Sequence, residues 1–267
     1  MATSSDEWAL YADHRAHFTE ALLSSVLRQG GRICLLGAGN CNDVDLERLA
    51  ATFSEIHLVD IDSAALARAA ARQPPSVRAL LHRHAPVDLS GLSKRLKKWK
   101  AAAPTLAGVE ASAASAVRSI VASLSGPFDV VASACVLTQM SFHLRDVLGE
   151  SHPMLAALRI SLVATHLGTL AGLTKVGGVS LLASDLTSSN FYPVGELSPD
   201  GDLRDAMNKI VETGRFYHAA NPHLIRDVLA RYEGERVGEP EWLDPWIWTG
   251  AHSRTYLVYA LRFQRIV

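Results

Sequence analysis

Short apolar runs, each closed by a turn and followed by a stretch of helical patterning, constrain this chain more than any other feature. The runs are ICLL at 33–36, IHLVD at 56–60, a weaker one at 77–81, FDVVAS at 128–133 and VSLLAS at 179–184. Runs this short, with almost no polar alternation, are what strands buried on both faces look like. Helical stretches separate them: 43–53, the alanine-rich 63–72 stopped by Pro74-Pro75, 90–125 with a break near Pro104, and 153–173 closed by Gly177-Gly178. This alternation, from residue 33 to about 185, predicts a parallel sheet with helices on both faces. The tail changes character. One more helix, opened by Asn221-Pro222 and running to Arg231, is followed by strand-like stretches at 236–242 and 255–263. No helix lies between these two, so one of them runs antiparallel. The expected architecture is α/β: a doubly wound, mostly parallel seven-stranded sheet with an antiparallel strand near the C-terminal end. Residues 1–30 form a preceding helical segment, a candidate lid, with Trp8, Tyr11, Phe18, Leu22 and Val26 at helical spacing. Residues 31–267 form the sheet domain.

Composition removes several function classes. The chain is 48% hydrophobic and 20% charged, with a formal net charge of -1. That is ordinary for a packed domain, and no overall field draws it to nucleic acid or anionic lipid. The strongest basic run, Lys94, Arg95, Lys97, Lys98 and Lys100, reads as a solvated helix face. Three cysteines without a CxxC pair fit a reducing compartment. The N-terminus is acidic and lacks a basic region followed by an apolar stretch, so no secretory signal is read there. The most apolar long segment, 154–173, carries Arg159 and His166 and reads as a core helix rather than a membrane span. A cytoplasmic protein is expected.

The first run ends at Gly37-Ala38-Gly39. In a doubly wound sheet, ligands bind at the carboxyl ends of the strands, where the strand order reverses. Glycine there lets backbone approach a ligand and permits positive φ. A dinucleotide site wants a third glycine where this chain has Asn42. Asp43 and Asp45 crowd the next helix start and oppose the positive helix end that attracts phosphate. A ligand without phosphates, and one bearing positive charge, fits better. Asp60, 21 residues after Gly39, offers a carboxylate to both hydroxyls of a ribose.

LLGAGNCNDVDL and HLVDID, with Val87-Asp88-Leu89, FDVVASACVLTQ and LAGLTKVGGVSLLASD in this order, resemble the motifs of the class I S-adenosylmethionine-dependent methyltransferase family. The resemblance runs from about Gly30 to the C-terminus, with Val176 where proline is common. It implies S-adenosyl-L-methionine as cofactor. It implies Gly37, Ala38 and Gly39 along the methionine portion, Asp60 on the ribose and Ile61 beside the adenine. Asp88 would accept from the adenine amino group, Leu89 would donate its N–H, and Ser133 and Ala134 would lie under the methionine. Family members that methylate amide or adenine amino groups carry an Asn/Asp-Pro-Pro-Tyr-like tetrapeptide after the fourth strand. Here Ser133-Ala134-Cys135-Val136 stands instead. The expected reaction is methyl transfer to an oxygen or nitrogen of a small-molecule acceptor. An RNA or protein methyltransferase and an NAD-dependent oxidoreductase are the alternatives.

Gln139 and His143, at i and i+4, share a helical face, and His143 is the expected general base because histidine titrates near neutrality. N-terminal helices in the family often cover the site, which places Trp8 and Tyr11 in the acceptor pocket, with Tyr192 from the loop after the fifth strand. Asp185 ends that strand, and His218, Trp246 and Trp248 are later candidates. Cys135 is expected to be inert. His14 and His17 read as exposed or lid histidines, and no Cys/His cluster supports a metal site. Self-association as a homodimer is left open.

Overall fold

The computed structural model describes residues 8–232, 236–250 and 253–267. Residues 1–7 of the expected N-terminal segment lie outside the described residues. Eight strands form one sheet: β1 (Gly31–Leu36), β2 (Phe53–Val59), β3 (Leu81–His84), β4 (Phe128–Ala134), β5 (Thr174–Ser188), β6 (Glu241–Trp242), β7 (Trp246–Thr249) and β8 (Thr255–Gln264). Their order is β3-β2-β1-β4-β5-β8-β6, with β7 also paired to β8. The first five are parallel, and β8 runs antiparallel to β5, β6 and β7. The strand count of seven is corrected to eight. Pro245 lacks the N–H a ladder needs, and it splits the outer edge of β8 into β6 and β7. Taken as one interrupted edge strand, the two restore seven positions.

Both faces are covered. On one, α1 (Ala12–Leu23), α2 (Leu46–Ala50) and α3 (Ser63–Ala71) bury Phe18, Leu22, Leu46, Leu49, Leu66 and Ala69 against Ile33, Leu35, Ile56, Leu58, Val130 and Ala132. The other face carries α6 (Leu106–Ser123), α7 (Val136–Leu148) and α8 (Leu155–Leu173), with α9 (Leu203–Thr213) and α10 (Pro222–Ala230) alongside. Burial on both sides is why residues 33–36 of β1 and 130–132 of β4 are apolar. Among the described residues, α8 is the one helix long and apolar enough to cross a membrane, and most of it is buried in the core.

Four local expectations are corrected. Val77 belongs to a single helical turn, α4 (Pro75–Arg78), because Pro75 at its first position is pre-set for helix. The third strand is the polar LHRH that follows it. The N-terminal helix is shorter than the spacing over 8–26 implies, and a 3-10 turn at Trp8–Tyr11 precedes α1. The tail holds one helix more than expected, α9, which is capped by Asp202 and ended by Gly214 in the left-handed region. His14, expected to be exposed, is fully buried.

Candidate functional site

The strand order reverses between β1 and β4, so the crevice lies above their carboxyl ends. The loop leaving β1 is drawn back onto β2: Gly37 and Ala38 both donate to the Val59 carbonyl, at 2.8 and 3.0 Å. Gly37 has φ +71, and a Cβ on it would meet Val136 Cγ2 at 2.5 Å, so the helix after β4 can pack here only against a glycine. Gly39, at φ +49, differs. A Cβ there would meet only Asp60 Oδ2, at 4.0 Å, and would otherwise project into open space. A third left-handed residue is Cys41, at φ +54, which holds a conformation that usually selects glycine. The loop is tied from behind by Arg68 to Asn40 Oδ1 (3.0 Å), by Arg72 to the Asn40 carbonyl, and by Arg15 to the Asn42 carbonyl (3.1 Å).

Asp60 is pinned by its own neighbours. Its Oδ2 accepts from Gly39 N–H and its Oδ1 from Asp62 N–H, both at 2.8 Å. Asp62, not Asp60, caps α3 by accepting from Ala64 and Ala65. The Asp60 carboxylate is therefore held at the mouth of the glycine bend with lone pairs to spare. Beside it Ile61 is 59% exposed, a large apolar side chain at the rim. The start of α2 offers nothing to a phosphate, because Asp45 accepts from Glu47 and Arg48 N–H itself. These residues fit a nucleoside whose far end is cationic, and they do not fit a pyrophosphate.

The space left beside Gly37, Ala38 and Ala134 is narrow, about 20 Å³, and is also lined by Phe18, Cys41, Asp43 and Val44. The N-terminal segment lies over it. Arg15 donates to the Trp8 carbonyl and stacks 3.6 Å above the Trp8 ring, and Arg72 approaches the same ring at 5.3 Å. Tyr11 packs on Trp248 (4.6 Å), and Trp248 stacks on Tyr256 (5.0 Å, 16° between planes). Trp246 Nε1–H donates to His14 Nδ1 at 3.1 Å, which leaves Nε2 as the protonated nitrogen of a neutral His14, 3.2 Å from Asp43 Oδ1. Tyr11, Trp248 and Tyr256 thus form an aromatic cluster that reaches Asp43 of the loop through His14.

The other expected site residues have the following surroundings. Asp88 spends its carboxylate on its own turn, accepting from Ser90 N–H (3.0 Å), the Ser90 hydroxyl (2.5 Å) and Ser93 N–H (3.0 Å). Leu89 is buried in the core beneath α6 and α8. Ser133 directs its hydroxyl to His166 Nε2 at 2.9 Å, inside the α8 face. Burial lowers His166 to about 4, so it is neutral at pH 7. Gln139 and His143 are both exposed on α7. Tyr192 packs on the α6–α8 core with Arg215 above its ring, so it does not join Tyr11 in one pocket. His218 is exposed.

Asp185 gains most from the structure. It lies on β5, 8% exposed, and accepts from the Thr138 hydroxyl at 2.6 Å. Burial pushes its carboxyl up to about 7. The neighbouring Cys135, in the left-handed region at φ +53, donates its N–H to the Ala183 carbonyl, and burial raises its thiol well above the ordinary value. That thiol is protonated at neutral pH and is a poor nucleophile.

Two further features lie outside the crevice. Glu55, His57 and His82 are close enough to share a metal ion. Arg32, however, already bonds Glu55 Oε2 at 2.7 Å and sits 3.4 Å from His57 Nε2, so a guanidinium supplies the positive charge there. A hollow of about 290 Å³, lined by Leu27, Phe53, Asp129 and Val176 among others, opens at the opposite, amino-terminal edge of the sheet. Its carboxylate, Asp129, is taken by Arg32 N–H and by Lys175.

No family model matches the sequence, and no curated protein matches it. Among solved structures the chain is similar to an S-adenosylmethionine-dependent methyltransferase from Methanosarcina mazei (13% identity, 92% of this chain and 97% of that one, TM-score 0.48). It is also similar to magnesium protoporphyrin IX methyltransferase from Synechocystis PCC 6803, solved with bound SAH (13%, 96% and 84%, TM-score 0.47). An rRNA methylase from Streptococcus thermophilus is a third (10%, 95% and 97%, TM-score 0.43). The strand order, the single antiparallel strand inserted beside β5 and the glycine bend at the reversal define a doubly wound, Rossmann-like α/β fold.

Proposed function

We propose that this protein transfers the methyl group of S-adenosylmethionine to an oxygen or nitrogen of a small-molecule acceptor. The observation that carries the reading is the Gly37–Gly39 bend bonded to Asp60 at a strand reversal whose following helix is closed to phosphate. In this reading Gly37, Ala38 and Gly39 run along the methionine portion, Asp60 takes the ribose hydroxyls, and Ile61 covers the adenine. The bound cofactor supplies an electrophilic methyl on a sulfonium. The chain's own residues orient the acceptor: Tyr11, Trp248 and Tyr256 offer flat faces that exclude water and hold an acceptor in line, and such positioning supplies much of the acceleration. Direct deprotonation by His143 requires an acceptor that reaches over the exposed face of α7; unchanged kcat in His143→Ala removes that role. Three unpaired cysteines are in keeping with a reducing cytoplasm.

Titration calorimetry tests the reading. S-adenosylmethionine and S-adenosylhomocysteine bind and NAD does not, and Asp60→Asn weakens both by about tenfold or more, the worth of a charged hydrogen bond. Binding of NAD alone overturns it.

A second reading, an RNA acceptor, rests on α5 (Ser93–Ala101), where Lys94, Arg95, Lys97, Lys98 and Lys100 have no carboxylate partner among the described residues. Salt-dependent RNA binding that is lost when these residues become glutamine would favour it.

A further inference from the structure

Asp185 is a buried acid with no bonded counter-charge among the described residues. Thr138 and Cys135 reach it from the start of α7, and Asp43 acts on it from the loop after β1. Across the β5–β8 ladder and the loop before α10, the phenols of Tyr256, Tyr259 and Tyr217 feel its charge. None of these groups is a cation. Arg254 reaches the Tyr256 phenol, and His14 lies against Asp43. Among the described residues, no Lys, Arg or His is bonded to Asp185 itself. Such a position costs stability whenever the carboxyl ionises, and asparagine would satisfy Thr138 without that cost.

Thr138 shows what the ionised form gains. Its single hydroxyl proton has two acceptors in reach, Asp185 Oδ1 at 2.6 Å and the Cys135 carbonyl at 3.1 Å. The short bond goes to the carboxylate. Tyr11, Trp248 and Tyr256 pack in series beside His14, which lies against Asp43 of the bend, and aromatic rings attract positive charge. A buried carboxylate and an aromatic cluster that both neighbour the Asp43 end of the bend have the chemistry of a receptor for a desolvated cation.

Resting on the reading above, we propose that Asp185 is the counter-ion of the cofactor's sulfonium, a specificity-determining carboxylate that makes the crevice prefer S-adenosylmethionine to S-adenosylhomocysteine. Methyl transfer turns the sulfonium into an uncharged thioether. The attraction then ends, Asp185 is again an unpaired acid, and the product is released in preference to being held.

The linkage has a definite sign. A cation stabilises the ionised carboxyl, so binding S-adenosylmethionine near neutral pH releases a proton from Asp185. The thioether carries no such charge. The affinity ratio of S-adenosylmethionine to S-adenosylhomocysteine therefore rises from about pH 6 to about pH 7.5 by about eightfold, as expected for one group titrating near 7. Calorimetry in buffers of different ionisation enthalpy reads the proton directly.

The experiment titrates both compounds into wild type, Asp185→Asn and Thr138→Val across this pH range, with thermal melts to confirm folding. The expected result is a pH-dependent ratio in wild type, a low and flat ratio in Asp185→Asn, and a midpoint moved to higher pH in Thr138→Val, which loses the hydroxyl that favours the ionised form. A ratio that is unchanged in Asp185→Asn, or equally pH-dependent for both compounds in wild type, overturns the sulfonium assignment and leaves the cofactor reading standing. Failure of both compounds to bind at any pH overturns both.

Discussion

Burial pushes His166 and Asp185 in opposite directions, and the consequences for stability differ in sign. His166 is lowered to about 4 from 6.5, so the unfolded chain binds the extra proton between those values. Its contribution is present above about pH 6.5 and is lost as pH falls toward 4. Asp185 is raised to about 7 from 3.8, so the folded chain holds the extra proton and stability is lost as pH rises through that window. Asp185→Asn should therefore raise the melting temperature of the ligand-free protein at pH 8, with a gain of a few kcal/mol at most, and change little at pH 4. Melts at the two pH values check this; a loss at pH 8 sinks it. The two loop glycines separate folding from binding in the same way. Gly37→Ala drives a methyl into Val136 on top of an unfavourable φ, and should cost about 2–4 kcal/mol in a denaturant melt. Gly39→Ala meets only the φ penalty, about 1 kcal/mol, and should keep the fold while its methyl, projecting into the crevice, lowers cofactor affinity.

At the scale of elements, the N-terminal segment has two parts with different jobs. α1 is built into the core through Phe18 and Leu22. Arg15 ties the preceding 3-10 turn to the loop after β1: it bonds the Trp8 carbonyl, covers the Trp8 ring and bonds the Asn42 carbonyl, while Tyr11 of the turn packs on Trp248. If this turn is the cover, Arg15→Ala should leave the melting temperature within about 2 °C of wild type and speed both association and dissociation of S-adenosylhomocysteine in stopped-flow fluorescence. Unchanged rates would assign the turn to structure alone. The same scale shows why certain elements escaped the sequence. LHRH is an edge strand with little apolar content, so its pairing with β2, not its periodicity, makes it a strand. Helix α9 did carry readable marks, Asp202 at its cap and Gly214 at its end, but buries only Leu203 and Ile210. Asp244-Pro245, by contrast, breaks an edge that would otherwise run as one strand.

For the molecule as a whole, hydrophobic patterning determined the architecture. Strands that must be buried on both faces leave little choice but a doubly wound sheet, and a last pair of strands without a crossover forces one to run antiparallel. The glycine bend and Asp60 were legible as candidates for the same reason, since both lie at strand ends beside the reversal, where the structure bonds one to the other. The tertiary structure alone decided which polar groups are free to act. Ser133 and Asp88 sit at sequence positions that fit a cofactor site, yet their side chains are engaged by His166 and by a local turn. Asp185, Thr138, Trp248 and Tyr256 come from three distant stretches and meet only because β5 and β8 pair and α7 starts beside them. Periodicity reports which face of an element is buried. Whether a buried polar group has found its partner depends on side chains far away in the chain, and only packing sets that.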